Sequence, residues 1–316
     1  MLFSPCPSQP AMHLPDGFLS LGVSLILWLI TGGVLMAALK RSDYRQTPLM
    51  GVLAAYIFAA QMLNFPVMYG TSGHFVGAAL ATLLLGSWSE GVLVMTAVIA
   101  VQALFFQDGG LLSMGANIFN MGILPSLIAY AGWSWVRHRQ GYLAGALTFL
   151  VGFLGVIGGA LSVSLEMVLS GTARARWVIP AMLSVHALIG IGEGVITALA
   201  YPLFRRAVLP RIGSSPPEAS PAWAWTGLLL GGLVAVLSPL ASAFPDGLER
   251  VTASLHLPAR QTPNPLGWFP DYTVPLVSHP ALSTILAGLI GVSVVVGLFF
   301  VFDRTRRRMS SPREEP

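Results

Sequence analysis

The sequence predicts an all-α polytopic membrane protein, and three observations carry that prediction. Charged residues make up 9% of the 316 residues and hydrophobic ones 54%, where soluble domains carry about 25% charge. Mean hydropathy is +0.73. Several apolar runs approach the ~20 residues that cross hydrocarbon as a helix. These runs are continuous rather than alternating, which argues against a membrane barrel.

Taken in order, the apolar runs predict helices over 18–39, 48–63, 74–86, 88–106, 115–136, 141–170, 180–204, 222–242 and 281–302. The third is short for a span and reads as tilted, broken or partly re-entrant. Basic residues cluster after the first helix (Lys40, Arg41, Arg45) and the fifth (Arg137, His138, Arg139). Others follow the seventh (Arg205, Arg206, Arg211) and the last (Arg304, Arg306, Arg307, Arg308). With alternating spans all four clusters fall on one side, which the positive-inside rule makes cytoplasmic. Arg174 and Arg176 are the discordant pair. The N-terminus, His74 and the 243–280 loop then face outward from the plasma (inner) membrane, and the C-terminus faces the cytoplasm.

A polar, proline-rich stretch around Pro210–Pro221 reads as a linker. It divides the chain into an N-terminal extension (1–11), a seven-helix membrane domain (12–208), the linker (209–221), a two-helix module with a long external loop (222–305) and a cytoplasmic tail (306–316). The formal charge of +4 sits mostly in clusters beside apolar runs. It therefore reads as topology signal and lipid anchoring rather than nucleic-acid binding. The single lysine, Lys40, follows no Gly-rich loop, which excludes ATP hydrolysis through a Walker A motif. Cys6 is the only cysteine, excluding an internal disulfide and a thiolate-clustered metal site. Residues 1–11 lack the basic and apolar regions of a signal peptide, and the expected translation start is Met12.

Chemistry concentrates at a few polar positions. Met12-His13-Leu14-Pro15-Asp16-Gly17-Phe18 runs into the first apolar segment, and His74 closes Gly70-Thr71-Ser72-Gly73-His74. A chain beginning Met12-His13 can chelate a divalent ion through its α-amine, the His13 amide nitrogen and the His13 imidazole, releasing protons as it binds. His74 would complete a tetragonal nitrogen set, the geometry suited to Ni(II) or Cu(II). Pro15 and Gly17 suit a turn that returns the terminus to the bundle. The competing readings are an interfacial His13 snorkelling near headgroups and a His74 that merely opens a helix capped by Thr71 or Ser72.

His186 and Glu193 lie seven residues apart on one helix face, as a metal relay or an interhelical hydrogen-bond pair. Asn117 and Asn120, at i and i+3, read as interhelical glue. Asp108 reads as a former of an external turn, as do Asp246 in Pro245-Asp246-Gly247-Leu248-Glu249 and Asp271 in Pro270-Asp271-Tyr272. Glu166 receives no role beyond a place near an interface.

Five ordered blocks together resemble the CbiM/NikM family, the cobalt/nickel substrate-binding (S) components of energy-coupling factor (ECF) transporters. They are Met12 to Phe18, Gly70 to His74, Gln102 to Gly110, Gly115 to Gly122 and His186 to Glu193, spread over residues 12–205. Residues 222–305 resemble the PDGLE-type (NikN-like) membrane module, with Pro245 to Glu249 supplying that sequence. The resemblance implies a seven-helix S-component-like bundle and a metal held by the Met12 amine, the His13 backbone nitrogen and imidazole, and the His74 imidazole. Asn64, Asn117, Asn120, His186 and Glu193 are then candidates for the surrounding shell. It also implies Ni(II) or Co(II) as transported substrate and no bound organic cofactor. The implied partners are a transmembrane T component (CbiQ/NikQ-like) and ATPase subunits (CbiO/NikO-like). Family members begin at the methionine matching Met12, so the eleven preceding residues are the departure from the pattern.

The leading reading is therefore capture of nickel or cobalt outside the membrane for ATP-driven import, tilted towards nickel by the PDGLE-type module. An intramembrane metalloenzyme built on His186 and Glu193 is the alternative, although the chain lacks the His-Glu-x-x-His signature. A third reading is a non-transporting membrane scaffold.

Overall fold

The structure, a computed structural model, describes residues 13–208, 222–257 and 267–310. Met12, the whole 209–221 linker and the end of the tail lie outside the described residues.

Each of the nine predicted apolar segments is occupied by helix. The first domain contains α1 (Leu21–Arg41), α2 (Thr47–Gln61), a small hairpin of β1 (Phe65–Val67) and β2 (Thr71–Gly73), and α3 (Ala78–Leu85). Next come α4 (Trp88–Phe106), α5 (Met114–Asn117), a π-helical turn (Ile118–Ile123), α6 (Leu124–Val136), α7 (Gly141–Leu169) and α8 (Ala175–Leu203). The C-terminal part supplies α9 (Ala222–Val236), the short α10 (Gly247–Ser254) and α11 (Pro280–Ser310). Among the described residues, seven stretches are long and apolar enough to cross a bilayer, with α5, the π turn and α6 acting as one.

The two exceptions are informative. Helix α2 has 15 residues and is apolar on every face, with only Tyr56 and Pro48 less than fully buried. Its neighbours make this possible, because α9 and α11 pack along it. At Gly51 a Cβ would meet the Trp223 ring of α9 at 2.3 Å, and at Gly231 of α9 a Cβ would meet the Ala55 carbonyl at 2.9 Å. The C-terminal helices thus close the bundle over α2, burying a segment that a seven-helix unit alone would leave to lipid.

Helix α3 is shorter still. Its 8 residues reach about 12 Å at ~1.5 Å per residue, well under the ~30 Å hydrocarbon core. All eight are buried, so this is a half-length helix inside protein, where broken backbone is tolerated. It begins at Ala78 rather than at residue 74. Gly77 sits at φ +83°, and the preceding residues turn away as the β1–β2 hairpin, in which Phe65 pairs with Gly73. The open amides at the start of α3 are met from another helix: the Glu193 carboxylate of α8 accepts from the backbone of Val76 (2.7 Å) and Gly77 (3.0 Å). A cap borrowed from 117 residues away leaves no local trace.

Candidate metal centre

The site forms where the N-terminal segment, the hairpin, the loop after α4 and the loop before α10 converge. Residues 13–18 run along the 108–113 loop and are clamped to it. Asn117 holds Leu14 at both polar atoms: its Oδ1 accepts from the Leu14 amide (3.0 Å) and its Nδ2 donates to the Leu14 carbonyl (3.1 Å). The same carbonyl accepts from the Gly110 amide at 3.0 Å. Two residues on, Asp16 accepts from the amides of Leu112 (3.2 Å) and Ser113 (2.8 Å) and from the Ser113 hydroxyl (3.0 Å). Gly17, at φ +95°, makes the turn anticipated from Pro15-Asp16-Gly17 and delivers Phe18 into the core. Gly110 is required by packing, since a Cβ there would sit 1.9 Å from Asp16 Oδ1.

This clamp buries His13 to 1% exposure, and His74 is 8% exposed. The two rings stand edge to face with centroids 5.6 Å apart. Both border a cavity of about 80 Å³, sized for a small ion when drug-sized ligands occupy roughly 300–1,000 Å³. The cavity continues between α6, α7 and α8, past Asn120, Met121, Gly159 and Met182.

Each imidazole faces a carboxylate through Nδ1. His13 Nδ1 lies 3.1 Å from Asp108 Oδ1, and His74 Nδ1 lies 3.4 Å from Asp246 Oδ2. The second contact is at ion-pair distance and falls short of a well-formed hydrogen bond. The Nε2 atoms of both rings are buried with no protein partner. Behind Asp108 stands Tyr272, whose hydroxyl donates to Oδ2 at 2.8 Å and whose ring stacks on Phe106 at 4.8 Å.

Burial would raise the pKa of Asp108, but His13, the Tyr272 hydroxyl and the more distant His74 together hold it below the ordinary carboxylate value. Asp246 is likewise held low against burial by His74, the Gly247 backbone and His186. For His74 burial opposes the charged ring, while Asp246, Asp108 and Glu193 outweigh it and raise the pKa. Burial and the neighbouring Asp108 push Tyr272 far above the usual phenol value.

Several expectations from the sequence need correcting. His74 does not open a helix; it follows β2 and precedes α3 by three residues. Asp108 and Asp246, expected at external turns, are instead buried, at 4% exposure each, against the two histidines, Asp108 just after α4 and Asp246 in a bridge with Ser72. His186 and Glu193 point to different partners: His186 borders the cavity with Nδ1 at 2.9 Å from the Met182 carbonyl, while Glu193 caps α3. Asn117 and Asn120 also divide their work. Asn117 clamps Leu14, and Asn120, within the π turn, donates to Glu166 of α7 at 2.8 Å, which gives that carboxylate a partner. Asn64 does not border the cavity; its carbonyl accepts from Ser242 at 2.7 Å. The missed residues shared one legible signal, their position on the same side of the topology as His13 and His74.

Among the described residues, no group of three or more His, Cys, Asp or Glu side chains is arranged to hold a metal ion. A site at the two histidines therefore needs further donors from the backbone or the N-terminal segment.

Comparison with known proteins is decisive on class. Residues 13–210 match the family model CbiM, the cobalt uptake substrate-specific transmembrane region, and residues 222–308 match the PDGLE domain. A protein of Archaeoglobus fulgidus bearing the name fused nickel transport protein NikMN is 34% identical over 308 residues, covering 94% of this chain and 99% of that protein. One of Lactiplantibacillus plantarum, named for fused nickel transport as LarMN, is 31% identical over 91% of this chain and 97% of its own length. The cobalt transport protein CbiM of Geobacter sulfurreducens is 30% identical over 75% of this chain and 72% of its own. A crystal structure of a truncated transition metal transporter superposes with a TM-score of 0.54 at 29% identity, covering 61% of this chain and 99% of that one. With its spans, its domain matches and these relatives together, the chain belongs to the CbiM family as a multi-pass, non-enzymatic nickel/cobalt transport component of the NikMN type.

Proposed function

We propose that this protein is the substrate-capture component of an ECF-type transporter, taking up Ni(II) in preference to Co(II) from outside the membrane. The observation that carries this reading is the pair of buried imidazoles at one ion-sized cavity, with too few side-chain donors to complete a site. The N-terminal segment supplies the rest: the Met12 amine in a chain beginning there, and the His13 amide nitrogen and imidazole. Consecutive donors on one segment close small chelate rings, and His74 adds the fourth nitrogen. Only Nδ1 of His13 can close such a ring with the amide of its own residue. That nitrogen faces Asp108 at 3.1 Å, so metal bonding there would replace a carboxylate contact, and deprotonating the amide releases a proton. His74 offers Nε2, which is already unpartnered.

A tetragonal nitrogen set favours nickel over cobalt, and the fused relatives bear nickel transport names. The N-terminus, the hairpin and the loop before α10 lie outside, and the four basic clusters face the cytoplasm. A membrane T component and ATPase subunits power release and import, since the chain carries no phosphate-binding motif.

The test is nickel titration of purified protein whose N-terminus is established by intact mass and sequencing. His13→Ala and His74→Ala should each lose more than about 100-fold in affinity, beyond the ~10–100-fold typical of outer-shell changes, while His186→Ala retains binding. Wild-type nickel binding by both histidine variants would sink the proposal. A protein retaining residues 1–11 that still binds nickel through four nitrogens in a plane would refute the amine-ligand assignment.

A further inference from the structure

We propose that Asp246, the acidic residue of the PDGLE segment, is a positioning residue for His74, so that the C-terminal module completes the capture site rather than merely accompanying it. The inference rests on the assignment of His74 as a metal ligand.

The geometry begins with the backbone. Ser72, two residues before His74, is gripped by the loop leading into α10. Its amide donates to the Pro245 carbonyl at 2.9 Å, its hydroxyl donates to the Phe244 carbonyl at 2.7 Å, and a parallel bridge pairs it with Asp246. The module therefore extends the β1–β2 hairpin at its edge. His74 follows Ser72 by two residues, just beyond β2. Asp246 consequently arrives with Oδ2 at 3.4 Å from Nδ1.

Gly247 allows the loop to press this closely. A Cβ there would meet Ile189 Cδ1 at 2.6 Å and His186 Nε2 at 3.1 Å, both on α8. Leu248 then enters the apolar cluster beside Leu14, Phe18 and Met182. Each of the Asp-Gly-Leu residues thus has a separate contact to make at the cavity.

The chemical consequence concerns which nitrogen His74 presents. A carboxylate at Nδ1 favours the tautomer protonated there and fixes the plane of the ring. The lone pair then sits on Nε2, which is buried with no hydrogen-bond partner. Carboxylate–imidazole–metal relays of this kind orient ligands and raise their basicity. Asp246 Oδ1 is itself buried with no hydrogen-bond partner, which turn formation alone does not require. Tyr272 gives the module a second contact with the same centre, through Asp108 on the His13 side.

The experiment compares full-length wild type, Asp246→Ala, Asp246→Asn and His74→Ala in detergent, with nickel titration and the visible absorption of the bound Ni(II) as readouts. Asp246→Ala should weaken nickel binding about 10- to 100-fold and alter the ligand-field spectrum, without lowering the thermal midpoint of the metal-free protein. Asp246→Asn, whose amide oxygen can face Nδ1 as the carboxylate does, should restore the spectrum and most of the affinity. Wild-type affinity and spectrum in Asp246→Ala would overturn the proposal. So would Asp246→Asn losing as much as Asp246→Ala, because that outcome requires the charge or direct ligation. If His74→Ala also binds nickel like wild type, the ligand assignment itself has failed. If His74→Ala loses binding and Asp246→Ala does not, only the positioning role has.

Discussion

Residues 13–18 and residues 244–249 reach the same cavity from opposite ends of the chain, but they are held there by different means. The N-terminal segment is pinned by hydrogen bonds at nearly every step: Asn117 at both polar atoms of Leu14, Gly110 on the same carbonyl, and three donors on Asp16. The PDGLE segment rests on two hydrogen bonds through Ser72 and a 3.4 Å approach of Asp246 to His74. Net hydrogen bonds contribute about 0.5–1.5 kcal/mol each, and an orphaned buried group costs more. The first segment is therefore a wall held mainly by hydrogen bonds, and the second is a roof held by fewer of them and by the close packing of Gly247 and Leu248.

The largest expected effect comes from breaking the wall by volume. Gly110→Ala would place a Cβ inside contact distance of Asp16, forcing the ligand-bearing segment outward. Nickel titration should show binding reduced by more than about 100-fold, and a variant binding as wild type would mean that the wall yields. Next comes Asn117→Ala, which strips both clamps from Leu14. At roughly 1–3 kcal/mol for each buried group left unsatisfied, the thermal midpoint of the metal-free protein should fall clearly, and nickel affinity should fall with it.

Acidification should act on both segments. Metal requires a neutral His74, and its pKa is raised because Asp246, with help from Asp108 and Glu193, outweighs the effect of burial. Protons should therefore displace nickel at a higher pH than they would from an ordinary imidazole, and affinity is regained as pH rises through that value. The His13 amide proton, released on binding, steepens the dependence. A flat affinity profile across the acidic range would contradict this. The smallest effect belongs to the roof: Ser72→Ala removes one hydrogen bond to Phe244 while its backbone bond to Pro245 stays. A loss of about 0.5–1.5 kcal/mol should appear as a ten-fold or smaller change in nickel affinity, and a larger one would promote the roof to an equal partner.

The sequence revealed the spans well because length and apolarity are local properties, and α1, α4, α7 and α11 follow directly from them. It misplaced the start of α3 because the decisive groups, a positive φ at Gly77 and a carboxylate from Glu193, are a backbone turn open to glycine and a long-range contact. Asp108 and Asp246 looked like turn formers, but Asp108 follows the end of α4 and Asp246 bridges Ser72 at the start of α10. The same short carboxylates also serve buried histidines, and only tertiary placement separates the two uses. Asn117 and Asn120 share a face in a regular helix. The π turn widens the backbone between Ile118 and Ile123, and the two amides serve different neighbours. Wider turns of this type recur at functional sites.

The contacts that close the roof also impose an order in time. Ser72 bonds a residue 172 positions later in the chain, and Asp108 bonds one 164 positions later. Synthesis delivers N-terminal segments first, so the histidines emerge long before the residues that support them. A nascent chain carries both histidines well before Asp246 and Tyr272 have been made. The support these two residues give to the histidine pair is thus added late in synthesis, after helices α1 to α9 are complete.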